Sequence, residues 1–110
     1  MSLVLVGLSH KTAPIKIREQ IAFSEDQLSS ALTHLNQEFK LQESMIVSTC
    51  NRVEIIAQGK NSQIEIADSI KNFLYSYHSL NPPFLEDYLY TYQSHSAIRH
   101  VFRVASSLDS

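Results

Sequence analysis

The stretch Met45-Ile46-Val47-Ser48-Thr49-Cys50-Asn51-Arg52-Val53-Glu54-Ile55-Ile56-Ala57 decides the fold. Two short apolar runs, 45–47 and 53–57, flank the polar pentad Ser48-Thr49-Cys50-Asn51-Arg52. Short apolar runs bounded by polar residues read as strands. So few residues join them that the connection must be tight and antiparallel. A hairpin therefore lies at the centre of the chain, and the flanking sequence says what packs on it.

Upstream, Ser24-Glu25-Asp26-Gln27 has the serine-to-glutamine spacing of a capping box, and Leu28, Ala31, Leu32, Leu35 and Phe39 follow at helical spacing. Acidic residues in the first turn also suit the helix dipole. Downstream, Ser62-Gln63-Ile64-Glu65 opens a second helix, with the stripe Ile66, Ala67, Ile70, Phe73, Leu74 and Tyr77, and Asn81-Pro82-Pro83 stops it. Further out, residues 3–8 read as a buried strand, and Pro14 starts a short helix through Ile15, Arg18 and Ile21. Tyr88-Leu89-Tyr90-Thr91-Tyr92 alternates at period two as a fourth strand. A last helix runs from Ser94-His95-Ser96 through Ile98, Val101, Phe102 and Ala105. The order is βαββαβ with a trailing helix. That pattern predicts an α+β, ferredoxin-like domain: a four-stranded antiparallel sheet with helices on one face. Its core should include Val4, Val6, Leu32, Leu35, Ile46, Ile55, Ile70 and Phe73.

Composition bounds the function. The chain has 110 residues, 44% of them hydrophobic, which suits one domain. Nine basic against 11 acidic side chains give a net charge of −2, so binding driven by phosphate along the whole chain is not the default. Only two glycines are present, Gly7 and Gly59, where average usage of ~7% would supply about eight. Neither a Walker A loop nor a dinucleotide fingerprint can be built from them. A single cysteine, Cys50, excludes an internal disulfide framework and a four-cysteine zinc site. The apolar start lacks a basic leader and a cleavage site, and no run approaches the ~20 residues of a membrane span. The expected location is the cytoplasm, with no membrane partner.

Cys50 is the sharpest chemical feature. A lone cysteine is most often a buried filler. This one stands in a polar turn, two residues from Arg52, and a nearby guanidinium favours thiolate over thiol. A thiolate there is a nucleophile suited to an acyl carbon. Arg52 is a planar, two-pronged donor suited to a carboxylate, or one half of a surface ion pair with Glu54. Of the five histidines, His34 and His78 lie within helices and read as surface or boundary residues. Cys50 with two of His10, His95 and His100 could hold zinc, but no two have the spacing of a helical metal pair. Tyr88, Tyr90 and Tyr92 form an aromatic stripe. Sheet packing accounts for it better than base stacking, because RNA-recognition modules carry their aromatics on central strands.

Three blocks, in order, resemble one family. Gly7-Leu8-Ser9-His10-Lys11-Thr12-Ala13-Pro14 with Arg18-Glu19 is similar to the opening of glutamyl-tRNA reductases. Ser48-Thr49-Cys50-Asn51-Arg52-Val53-Glu54 resembles their catalytic motif. His100-Val101-Phe102-Arg103-Val104-Ala105-Ser106 through Leu108-Asp109-Ser110 resembles their third block, with Ser107 where a glycine would be expected. The resemblance implies that Cys50 attacks the ester of glutamyl-tRNA(Glu) and forms a thioester, which NADPH reduces to glutamate-1-semialdehyde, the first step of tetrapyrrole synthesis from glutamate. It implies catalytic roles for Cys50 and His100, carboxylate recognition by Arg52, and substrate contacts from Thr49, Asn51 and Ser110. It further implies that residues 1–110 are the N-terminal catalytic domain of a longer enzyme. NADPH-binding and dimerisation domains then lie outside this chain, with a homodimer formed through the latter and the aldehyde handed to a downstream aminomutase. The rival readings are a non-enzymatic ligand-binding regulatory module and an RNA-recognition module.

Overall fold

The computed structural model describes residues 2–106. The elements run β1 (Ser2–Ser9), α1 (Ile15–Ile21), α2 (Glu25–Phe39), β2 (Glu43–Ser48), β3 (Arg52–Gly59), α3 (Gln63–Tyr77), β4 (Tyr90–Gln93) and α4 (His95–Ala105). The caps act as their sequence suggests. The Ser24 backbone N–H donates to Gln27 Oε1 at 2.9 Å, and Ser62 Oγ accepts from the Glu65 backbone N–H at 3.2 Å. Each satisfies a helix-end group that would otherwise lack a partner. Pro14, whose ring presets φ, stands at the N-cap of α1, and that helix buries Ile17 and Ile21 while Ile15 faces solvent.

The four strands form one sheet in the order β2-β3-β1-β4, antiparallel at every junction. Because side chains alternate across a strand, β1 and β3 present two unlike faces. Val4, Val6 and Leu8 with Val53, Ile55 and Ala57 form one face, joined by Ile46, and pack against Ala31 and Leu35 of α2 and Ile66, Ile70, Phe73 and Leu74 of α3. Every residue of the expected core is buried except Leu32, which packs half-buried at its margin.

The opposite face carries Leu5, Gly7, Ser9, Arg52, Glu54 and Ile56, in register with Tyr90 and Tyr92 of β4. Here α4 lies: Leu5 and Ala97 are both fully buried yet stand apart from the main core. The sheet is therefore covered on one side by α2 and α3 and on the other by the trailing helix. Strand boundaries shift by one or two residues from the sequence reading, most tellingly at β4. Tyr88 precedes β4 rather than opening it, in a turn where its N–H donates to the Leu85 carbonyl at 2.9 Å, and its ring packs against the main core. No described helix is long and apolar enough to cross a membrane.

Candidate functional site

The turn between β2 and β3 is held by its own side chains. Thr49 Oγ1 accepts from the backbone N–H groups of Asn51 and Arg52, both at 3.2 Å. The Thr49 N–H donates to the Arg52 carbonyl at 2.8 Å, and the His10 N–H to the Asn51 carbonyl at 2.7 Å. Arg18 reaches over from α1: its Nε donates to the Cys50 carbonyl at 3.1 Å and its Nη1 to the Ala13 carbonyl at 2.8 Å. The loop after β1 and the first helix thus clamp the turn from one side. Cys50 itself is exposed, so its thiol is open to solvent and reagents.

Two residues further on, the chain enters the sheet and the chemistry changes. Arg52 and Glu54 point to the α4 face and are each only 2% exposed. Three donors converge on Glu54 Oε2: Arg52 Nη1 at 3.2 Å, His100 Nε2 at 2.5 Å, and the Tyr90 hydroxyl. A carboxylate only accepts, so His100 meets it through a protonated Nε2. The His100 ring stacks on Tyr92, centroids 4.6 Å apart, and lies 5.5 Å from the Tyr90 ring. Burial, then the hydrogen bond and charge of Glu54, push the Tyr90 phenol far above its ordinary range, while Arg52 and Ser9 act the other way. A buried ion pair costs desolvation, offset only when its remaining groups are also bonded. Glu54 offsets part of that cost by taking three donors at one oxygen.

This arrangement needs space. A β-carbon on Gly7 would stand 2.7 Å from Glu54 Cγ and 2.5 Å from the Val53 carbonyl oxygen. Only glycine lets the Glu54 side chain cross β1 and reach β4 and α4.

The sequence-predicted residues divide into two groups. Thr49, Cys50 and Asn51 form the exposed turn; Arg52 and His100 meet through the buried Glu54. Ser110 lies outside the described residues. The ion pair weighed for Arg52 exists, with Glu54 as partner, but it is buried rather than on the surface. Sequence reasoning passed over Gly7, Arg18, Glu54 and Tyr90 as working parts. Two of them carried a signal: a glycine inside an apolar strand, and a charged residue inside another. His78, read as a boundary residue, caps α3 with a buried Nε2 lacking a partner among the described residues, and burial lowers its pKa. His34 pairs with Glu38 on the outside of α2. Among the described residues no three histidine, cysteine, aspartate or glutamate side chains group closely enough to hold a metal.

Comparison with known proteins gives this geometry a family. The profile described as "Glutamyl-tRNAGlu reductase, N-terminal domain" matches residues 6–110. The glutamyl-tRNA reductase of Pelobacter propionicus is 51% identical over 110 residues, covering 100% of this chain and 25% of that protein. That of Geobacter metallireducens is 49% identical with the same coverage. The solved glutamyl-tRNA reductase from Methanopyrus kandleri superposes with a TM-score of 0.74 at 30% identity, covering 98% of this chain and 23% of that one. The chain thus spans about a quarter of the length of these relatives. A matching profile over nearly every residue, together with relatives near half identity across the whole chain, assigns it to the glutamyl-tRNA reductase family, to which it belongs as the N-terminal domain.

Proposed function

We propose that this chain is the acyl-transfer domain of a glutamyl-tRNA reductase. The observation that carries the reading is the exposed Cys50 in a clamped turn, two residues along the chain from the buried Arg52, which shares Glu54 with His100. In the proposed step the Cys50 thiolate attacks the ester carbonyl of glutamyl-tRNA(Glu). The C–O bond to the terminal ribose breaks, the ribose oxygen takes a proton, and the glutamyl group remains as a thioester on Cys50. Thr49 and Asn51 contact the bound glutamyl group from the same turn, joined by Ser110. Arg52, whose guanidinium is buried and held by Glu54, recognises the side-chain carboxylate. His100 assists transfer at the ester oxygen, its ring held between Glu54 and the tyrosines.

Reduction of the thioester to glutamate-1-semialdehyde calls for a hydride donor, and NADPH supplies it in this reading. The residues here do not fit that cofactor. Gly7 sits inside a strand with Glu54 over it, and Gly59 faces Leu41 and Ile66 of the core, so neither belongs to a phosphate-cradling loop. We assign NADPH binding and dimerisation to the three-quarters of the relatives' length that this chain does not span. The tetrapyrrole pathway, the hand-off to an aminomutase, a cytoplasmic location and the ferredoxin-like classification belong to the same reading; the last is supported by the strand order and directions. The RNA-recognition alternative loses support because Tyr90 and Tyr92 pack on His100 of α4 instead of lying on an open sheet.

The test is covalent trapping. Full-length protein incubated with radiolabelled glutamyl-tRNA and no NADPH should retain label in a hydroxylamine-labile bond. Cys50→Ser should retain none and form no aldehyde when NADPH is added. Near-normal aldehyde formation by Cys50→Ser would refute the mechanism.

A further inference from the structure

On the flank of α4, Tyr92, Ser96, Arg99, His100 and Arg103 line a cleft of about 380 Å³. Ser96, Arg99 and Arg103 recur at helical spacing, so they share one side of the helix. Both arginines are exposed, and among the described residues neither has a carboxylate partner. Among the described residues no acidic side chain lines the cleft, in a chain whose net charge is −2. Like charges one turn apart repel each other and weaken a helix unless an anion lies between them. Arginine forks match phosphate oxygens bidentately, and a serine hydroxyl and a tyrosine ring are regular companions of a phosphodiester and its base. One wall of the cleft is His100, which on its other side holds Glu54.

We propose that this cleft binds backbone phosphate of the substrate tRNA near its aminoacylated end. The inference rests on the reading that the protein acts on glutamyl-tRNA. The ester to be cleaved is joined to the terminal ribose, so its nearest phosphates must lie within a few ångströms of the reacting groups. Arg99 and Arg103 would then grip the strand that delivers the ester, leaving recognition of the glutamyl group to the turn and Arg52. Cofactor phosphate is the competing source of the same chemistry, and the experiment separates the two.

Full-length protein, Arg99→Ala/Arg103→Ala and Arg99→Lys/Arg103→Lys are titrated with deacylated tRNA(Glu) across a series of KCl concentrations, and the KM for NADPH is measured for each. The alanine pair should weaken tRNA binding about tenfold at low salt and flatten the slope of log K against log salt by roughly 1–2, while the lysine pair keeps the slope. An unchanged slope in the alanine pair overturns the proposal. A rise confined to the KM for NADPH overturns it too, and gives the cleft to the cofactor. Because deacylated tRNA undergoes no chemistry, the expected binding pattern in a protein that forms no aldehyde would uphold the cleft and refute the reductase reading instead.

Discussion

The Glu54 side chain occupies the space above Gly7 that any other residue would fill with its own β-carbon. The pair is also in register, Gly7 opposite Glu54 across the β1–β3 ladder. The backbone of one strand thereby admits the side chain of the next, and the whole cluster around Glu54 follows from that missing carbon.

Gly7→Ala should be disruptive despite adding one methyl. Its β-carbon would meet the Val53 carbonyl oxygen at 2.5 Å, and that atom is backbone and cannot swing aside. Forcing extra volume into a packed site costs roughly 1–3 kcal/mol. A lower urea midpoint with an unchanged m-value is the expected result. Displacement of Glu54 should also weaken acyl transfer in whatever fraction remains folded.

Glu54→Ala should cost more. It removes the one acceptor shared by Arg52, His100 and Tyr90. Breaking a buried pair by deleting one partner costs about 3–5 kcal/mol, because the other charge is left uncompensated. Glu54→Gln, which keeps the shape and an acceptor oxygen, should recover part of the stability. If Glu54 positions Arg52 for the substrate carboxylate, Glu54→Gln should raise the KM for glutamyl-tRNA more than it lowers kcat.

Tyr90 gives a prediction with a sign. Its folded pKa is raised above the unfolded value by burial and by Glu54. Above pH ~10 the unfolded chain releases the phenolic proton while the folded one retains it. The folded state then binds more protons, so stability present below pH ~10 falls as the pH rises further. In the ultraviolet titration of native protein, one tyrosine should stay protonated after the exposed ones ionise. Tyr90→Phe should remove this component of the alkaline loss, as read from urea midpoints measured across the same range.

Arg18→Ala tests the clamp on the turn. The change deletes the exposed bond to the Cys50 carbonyl and the part-buried one to the Ala13 carbonyl. Stability should fall by only about 1 kcal/mol. Acyl transfer to Cys50 should slow severalfold, since a nucleophile free to wander loses the benefit of fixed orientation. Equal rates of glutamyl retention in wild type and Arg18→Ala would remove Arg18 from the positioning set.

Much of the fold could be read directly from local rules. The caps at Ser24 and Ser62 and the stripes behind them mark α2 and α3, and the polar pentad between two apolar runs marks the β2–β3 hairpin. Tyr88 was misplaced because period-two alternation continues through it, whereas the structure turns it onto the main core. In the candidate site, Cys50, Arg52 and His100 stand out in the sequence through their motifs. That His100 and Arg52 share one carboxylate oxygen was not, because it depends on α4 crossing the sheet 46 residues away from Glu54. Arg18 was likewise hidden: its bond to Cys50 spans 32 residues and leaves no periodic trace.

The alternation along β3 has a further effect on the folding problem itself. Val53, Ile55 and Ala57 enter the hydrocarbon core, while Arg52 and Glu54 turn the other way. A pairing error of one residue would exchange the two sets and drive a guanidinium and a carboxylate among Leu35, Ile70 and Phe73. Desolvating those ions there would cost several kcal/mol each, with no Tyr90 or His100 to receive them. These buried charges also act as a ratchet on strand alignment, and substitutions that make this face oily should make the sheet easier to misassemble even where they make it more stable.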